Sequence, residues 1–202
     1  MLKPILLPAL LLAAGTGALH AQTAQTDYYA RAGAMWASTL VRDVLVTEVT
    51  VQQSIAPMVA VGASMPISPG YRAALEGTLA SGGYSAEQDG DEADLGTLRT
   101  ASVLLGLEGP VWRMVRWRVG LGGLFYWPSE DRGIFLEGGP VRFLAGAGAD
   151  WRSPILPSWD LLVSARYDIH RFTTDELERR GFSQAQGVSR VSLSVGLARG
   201  IR

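Results

Sequence analysis

Residues Trp159 to His170 read WDLLVSARYDIH. The odd positions Trp159, Leu161, Val163, Ala165, Tyr167 and Ile169 are apolar or aromatic. The even positions, apart from Leu162, are polar or charged: Asp160, Ser164, Arg166, Asp168 and His170. Alternation with period two predicts an extended strand with two chemically opposite faces. Which face meets water is the deciding question, because a soluble sheet and a membrane barrel answer it in opposite ways. A second question follows, because Ser, Asp and His share a face and invite a catalytic reading.

The same alternation recurs along the chain and predicts eight strands. The first, Tyr28 to Ser38, is the weakest. The second, near Ser54 to Ile67, sets Ile55, Val59, Val61, Met65 and Ile67 against Ala56, Ala60, Gly62 and Ser64. The third, Tyr71 to Gly82, sets Tyr71, Leu75 and Leu79 against Arg72, Glu76 and Thr78. The fourth, Arg99 to Glu108, sets Val103, Leu105 and Leu107 against Thr100, Ser102 and Glu108. The fifth, Val115 to Trp127, sets Trp117, Val119, Leu121, Phe125 and Trp127 against Arg116 and Arg118. The sixth, Val141 to Arg152, sets Val141, Phe143 and Trp151 against Arg142, Asp150 and Arg152. The opening stretch is the seventh. The eighth, Val188 to Ile201, sets Val191, Leu193, Val195 and Leu197 against Arg190, Ser192 and Ser194.

The connections alternate in length. Pro66 to Gly70, Gly109 to Met114 and Ser153 to Ser158 are brief and turn-like. Thr39 to Gln53, Gly83 to Leu98, Pro128 to Pro140 and Phe172 to Gln186 are longer and mostly polar. An even strand number, both termini at one end, short turns there and long loops opposite are the layout of a transmembrane barrel. Aromatic residues recur eight apart on the apolar faces: Trp117 and Phe125, Phe143 and Trp151, Trp159 and Tyr167, with Tyr71 and Trp127 extending the two rows. Eight residues of a strand tilted by ~40° cover about 20 Å. That is close to the roughly 25 Å apolar band flanked by aromatic girdles. The odd face is therefore assigned to lipid and the even face to the interior.

The ends and composition agree with export. Met1 and Lys3 precede the apolar run Ile5 to Ala14, and small residues follow up to Ala21. This predicts a signal peptide over residues 1–21, cleaved after Ala21 or after Ala18, and a barrel domain over 22–202. About 180 residues remain, enough for one domain. The chain has no cysteine, so no disulfide staples the exported fold. Its formal net charge of −1 gives no reason to expect nucleic acid. Lys3 is the only lysine, and the polar faces are filled with Gly, Ala, Ser and Arg rather than with the Lys and Glu that protect soluble sheets.

In the hairpin APMVAVGASMPIS-PGYRAALEG, the strand end RYDIHRF and the terminal strand SRVSLSVGLARGIR, the chain resembles the small eight-stranded outer-membrane β-barrel proteins, of the outer-membrane protein X and W types. One departure is the ending Gly200-Ile201-Arg202, where such barrels commonly finish on an aromatic residue. The resemblance implies an all-β, antiparallel, up-and-down transmembrane barrel in the cell outer membrane. Its short turns would be periplasmic and its long loops extracellular. It also implies outer-membrane lipid, lipopolysaccharide and the barrel-assembly machinery as partners, an extracellular partner reached through the loops, and a monomeric state.

A barrel of eight strands is filled by its own side chains. The inward residues include Arg72, Glu76, Glu108, Arg116, Arg118, Arg142, Asp150, Arg152, Asp160, Arg166, Asp168, His170 and Arg190. Arg72, Glu108, Arg116, Arg118, Asp150, Arg152 and Asp160 fall near the short turns. Arg142, Asp168, His170 and Arg190 fall near the loops. Guanidinium forks suit desolvated contacts with carboxylates, so an ion-pair network that plugs the lumen is expected. The expected role is structural, adhesive or surface-interacting; the alternatives are a narrow channel for a small solute, a lipid-modifying barrel enzyme and a soluble lipocalin-like binder.

Ser164 and His170 lie six residues apart on one strand, about 20 Å, too far for a nucleophile and its base. A His-x-Ser pair of the lipid-deacylating kind would fall on His170 and Phe172, and Phe172 has no hydroxyl. No enzymatic activity, cofactor or metal site is expected, with His170 read as an interior histidine. The acidic stretch Glu87 to Asp94 departs from the EF-hand order and reads as a solvated loop. Thr173-Thr174-Asp175-Glu176 followed by LERRG predicts a capped helical turn over the barrel mouth.

Overall fold

The structure is a computed structural model that describes residues 26–44, 48–88, 90–130, 135, 139–179 and 186–200. The expected signal peptide and its cleavage site lie outside the described residues, as do Gly181, Ile201 and Arg202. The elements in chain order are β1 (Asp27–Ala37), β2 (Val41–Val44), β3 (Glu48–Gln53), β4 (Ala56–Ser68), β5 (Tyr71–Gln88), β6 (Asp91–Trp112), β7 (Val115–Pro128), β8 (Val141–Leu156), β9 (Trp159–Phe172), α1 (Asp175–Arg179) and β10 (Gln186–Gly200).

Eight of these strands, β1 and β4 to β10, form a closed antiparallel ring in which every stave is bonded to both neighbours. β10 pairs back onto β1 from Asp27↔Gly200 to Ala37↔Arg190, so the described ends of the chain meet at the short-turn end. Closure removes the sheet edges that an open all-β sheet would otherwise expose. β2 and β3 are additional to the eight expected strands. β3 continues the line of β4 along β5, pairing from Val49↔Gln88 to Gln53↔Tyr84, and β2 pairs onto β3.

The side chains sort as the alternation requires. Leu105 and Phe143 are 66% exposed on the outside, whereas Glu108 is 0% and Glu76 3% exposed within. An outer wall of Val, Leu, Ile and aromatic residues around a charged interior is a water-soluble protein turned inside out. Tyr71, Trp127, Phe143, Trp151 and Tyr167 stand exposed on this wall. Trp117, Phe125 and Trp159 are half-buried on it. Trp117 packs on Tyr71 at 6.3 Å, Phe125 stacks on Trp127 at 6.2 Å, and Trp159 lies under the Arg199 guanidinium at 5.7 Å. β1 carries a further pair eight residues apart, Tyr28 and Trp36, which the sequence reading did not single out.

Several boundaries differ from expectation. Gly83 to Leu98 is not a loop: β5 and β6 run on as a ladder to Gln88↔Asp91. At the tip of the hairpin Asp91 to Asp94 are all exposed, while below it Tyr84, Ala86 and Leu95 pack on the apolar cluster, so the amphipathic alternation is missing at the tip. Thr39 to Gln53 likewise contains β2 and β3. At the other end the turns are shorter than expected, only Arg113-Met114 and Pro157-Ser158 between the strand ends, with Pro69-Gly70 in the first. All three short hairpins contain a register shift beside a proline, at Pro66/Ser68, Pro110/Trp112 and Pro154/Leu156. Proline has no N–H for the ladder, and a bulge absorbs its presence.

Candidate functional site in the lumen

The inward face of the staves holds two layers of opposite character. Towards the short turns the layer is ionic and centres on Glu76 of β5. Its carboxylate accepts from Arg31 of β1 at 2.5 Å, from Arg166 of β9 at 2.6 Å, from the Tyr29 hydroxyl at 2.9 Å, and from Arg118 of β7. Arg118 forks onward to Asp150 and Glu108, each at 2.7 Å. Asp150 also faces Arg31 at 3.4 Å and accepts from Ser164, which in turn accepts from Arg31. Glu108 is further approached by Arg152 at 3.5 Å and Arg116 at 3.8 Å. Asp27 joins Arg72 at 3.3 Å to Arg152 at 3.2 Å, and Arg72 donates to Ser64 of β4. Asp168 takes Arg166 Nε at 2.6 Å.

Six guanidinium groups (residues 31, 72, 116, 118, 152 and 166) thus meet five carboxylates (residues 27, 76, 108, 150 and 168) across the barrel. Buried charges survive only when paired and multiply hydrogen-bonded, and the planar, five-donor guanidinium can bridge several acceptors at once. Two glycines make the layer possible. A Cβ on Gly62 would sit 2.3 Å from the Tyr29 ring, and one on Gly146 would sit 1.9 Å from the Asp168 carboxylate. Tyr29 lies over the space Gly62 leaves and carries the Arg118 guanidinium on its ring at 4.9 Å.

Towards the long loops the layer is apolar. Leu104, Leu124, Leu144, Tyr126, Phe172 and Val188 project from the staves into one buried cluster. Tyr84, Leu98, Leu40, Val41 and Val51 join it from the rim. Phe135 fills its centre, edge-on to Tyr84 at 5.7 Å and to Phe172 at 5.9 Å. From above comes Leu177 of α1, 3% exposed. The α1 cap is Thr174, whose hydroxyl accepts the Leu177 N–H at 3.2 Å, so the cap aims that side chain into the mouth.

At the seam between the layers, Tyr126 Oη and His170 Nε2 share a 2.6 Å hydrogen bond, and Arg190 donates to Thr100 at 2.8 Å. Ser164 and His170 therefore sit in different layers with different partners. Arg190 does not clamp Asp168, which belongs to Arg166. Arg142 is drawn to the rim, where it donates to the backbone carbonyls of Thr173 and of Val141. Asp160 is half-buried on β9 near its turn. Asp27, Tyr29 and Arg31 are participants that sequence reasoning missed. The available signal was that Tyr29 and Arg31 alternate with Tyr28, Ala30 and Ala32 on the weakest strand. Among the described residues, Glu76, Leu104, Arg118 and Arg166 border an interior void of about 20 Å³, room for about one water.

No family model matches the chain, and no curated protein sequence matches it significantly. Solved structures do. The chain is similar to Neisserial surface protein A, at 15% identity and TM-score 0.53 over 86% of this chain and 96% of that one. It is similar to the outer membrane protein OprG from Pseudomonas aeruginosa, at 11% identity and TM-score 0.52 over 89% and 97%. It is also similar to the outer membrane protein AlkL, at 14% identity and TM-score 0.53 over 93% and 96%. With closure, handed-over register and inverted burial all in place, the chain has the fold of the small eight-stranded outer-membrane β-barrels.

Proposed function

We propose that this protein is an integral outer-membrane barrel, exported by a cleaved signal peptide, that is closed to solute flow and works as a structural or surface-interaction element of the cell envelope. The observation that carries this reading is the double closure of the lumen. An ionic layer ties seven of the eight staves across the interior, an apolar layer is capped by Phe135 and Leu177, and the void between Glu76 and Arg166 holds about 20 Å³. Among the described residues the carboxylates of the ionic layer are engaged by arginines, which supports a lumen filled by its own side chains rather than a water-lined pore or a catalytic centre. The exposed apolar wall supports insertion in a bilayer, and the extended β5–β6 hairpin supports a role for the loop end as the outward contact surface. The three structural relatives support the outer membrane as the location, and a monomer enclosing its own lumen needs no second copy.

The test is conductance. Purified protein folded in detergent, shown to be a closed barrel by a gel band that shifts on boiling, is added to planar bilayers. The expected result is insertion without a steady open state. A stable nanosiemens-scale pore would instead establish the narrow-channel alternative.

A further inference from the structure

One row of the inward face is bare over three staves. Gly106 of β6 pairs with Gly120 of β7, Gly120 with Gly146 of β8, Gly146 with Asp168 of β9, and Asp168 with Arg190 of β10. Three glycines on adjacent staves thus lead to a carboxylate and a guanidinium at one level. They form one wall of the void of about 20 Å³ that Leu104, Arg118 and Arg166 border. A cavity of that size exceeds the roughly 10–15 Å³ that admits one water. It takes a single-atom ion and is too small for a tetrahedral oxyanion.

The charges around this row do not balance. Next to the short turns Arg72, Arg116 and Arg152 stand with Asp27, Glu108 and Asp160, three against three. Deeper in the lumen Arg31, Arg118, Arg166 and Arg190 stand with Glu76, Asp150 and Asp168, four against three, which leaves one positive charge over. Arg190 is 4% exposed and donates to Thr100 and to the Met35 sulfur, and among the described residues no carboxylate forms an ion pair with it. A guanidinium keeps its proton, so titration cannot discharge the excess. An uncompensated cation at membrane depth is costly.

Hydrogen-bond donors are in excess as well. Arg166 Nη2 and Arg118 Nε have no acceptor among the described residues, although both side chains are more than nine-tenths buried. Arg166 Nη2 lies 3.1 Å from where a Cβ on Gly146 would stand, so it faces the glycine row. The carboxylates nearby are already engaged, Glu76 by Arg31, Arg118, Arg166 and Tyr29, and Asp168 by Arg166 Nε. Water in the void would satisfy the N–H groups and leave the charge. A monovalent anion answers both.

We propose that the void binds one halide ion of the chloride class, held by Arg118 and Arg166, as the counterion that completes the buried charge of the lumen. The deep tier then carries four negative charges against four positive, and the stability of the barrel depends on which anion is present.

The test is urea unfolding of the full-length barrel from zwitterionic lipid vesicles, with sodium chloride replaced stepwise by sodium gluconate at constant ionic strength so that screening stays fixed. A ligand bound only by the folded chain lowers the unfolding constant in proportion to its concentration once the site is near saturation. The expected result is a fall of about tenfold in that constant per tenfold rise in chloride, matched by bromide and absent with gluconate. Gly120→Ala puts a methyl group into the void, 3.4 Å from Leu104 Cδ2, and should abolish the dependence without removing a charge. Arg166→Gln removes the excess charge and the unpartnered N–H together and should abolish it too. Arg99→Gln, exposed on the outward face of β6, should keep it. A crystal of the unaltered protein grown in bromide gives a reading that no variant's folding affects, an anomalous peak in hydrogen-bond contact with Arg166 Nη2. Equal stability in chloride and gluconate, an undiminished chloride dependence in G120A or R166Q, its loss in R99Q, or a void that holds only water overturns the proposal.

Discussion

The two halves of the lumen occupy equivalent positions in the barrel and close it by opposite chemistry. Near the short turns, Glu76, Glu108 and Asp150 are buried among arginines. Near the loops, Leu124, Leu144 and Phe135 are buried among rings and aliphatic chains as in a soluble core. The ionic layer gains little net stability, because desolvation offsets most of the Coulomb attraction, but each contact is directional and binds staves far apart in the chain. The apolar layer is stabilised by area removed from water and is indifferent to register. One layer specifies how the staves meet and the other packs the loop end of the lumen.

The largest effect that would break this contrast is expected at Glu76. Glu76→Gln leaves Arg31, Arg118 and Arg166 facing a neutral group and should destabilise the barrel by about 3–5 kcal/mol in urea unfolding from lipid vesicles. An unchanged midpoint would mean that the ionic layer is hydrated and loosely held. Next comes Leu144→Ala, which opens a cavity in the apolar layer and should lose about 2–5 kcal/mol by the same measurement. In the double variant the two losses should add to within about 0.5 kcal/mol, since the layers share few partners. Strong coupling would show that they act as one plug. On the outer wall, Leu105→Arg should lose about 2–4 kcal/mol if the middle of β6 faces hydrocarbon, whereas an exposed residue facing water would shift stability within about 0.5 kcal/mol. The smallest effect is expected from Thr174→Ala. It removes the α1 cap at about 1 kcal/mol, and it should appear as faster amide exchange at Leu177 with the global midpoint nearly unchanged.

Which residues face in and out was legible wherever large apolar and charged side chains alternate, as in Trp159–His170. It faded on β1, whose outward face between Tyr28 and Trp36 is only alanine and whose inward face carries Tyr29 and Met35 beside Arg31. With little hydrophobic contrast between the faces, Arg31 went unassigned although it touches both Glu76 and Asp150. The partners of each charge were not legible either. Arg166 belongs with Asp168 and Glu76, and Arg142 leaves the lumen for Thr173, because tilt and register shift decide which inward residues share a level. Phe135 falls outside every strand pattern, where no period exists to announce a buried ring. The helical turn over the mouth could be anticipated because capping is local, encoded within the Thr174–Leu177 interval.

The first and last staves close the ring, with Asp27 opposite Gly200, a separation of 200 − 27 = 173 residues. Nearly the whole described chain must therefore be present before the seam can zip. Contacts this distant in sequence form slowly, because the loop they close is almost the entire protein. Arg31 on the first stave needs Ser164 on the ninth strand and Asp150 on the eighth, across 133 and 119 residues. A chain truncated before the eighth strand would leave that guanidinium without these two partners, so the polar layer doubles as a completeness check on assembly.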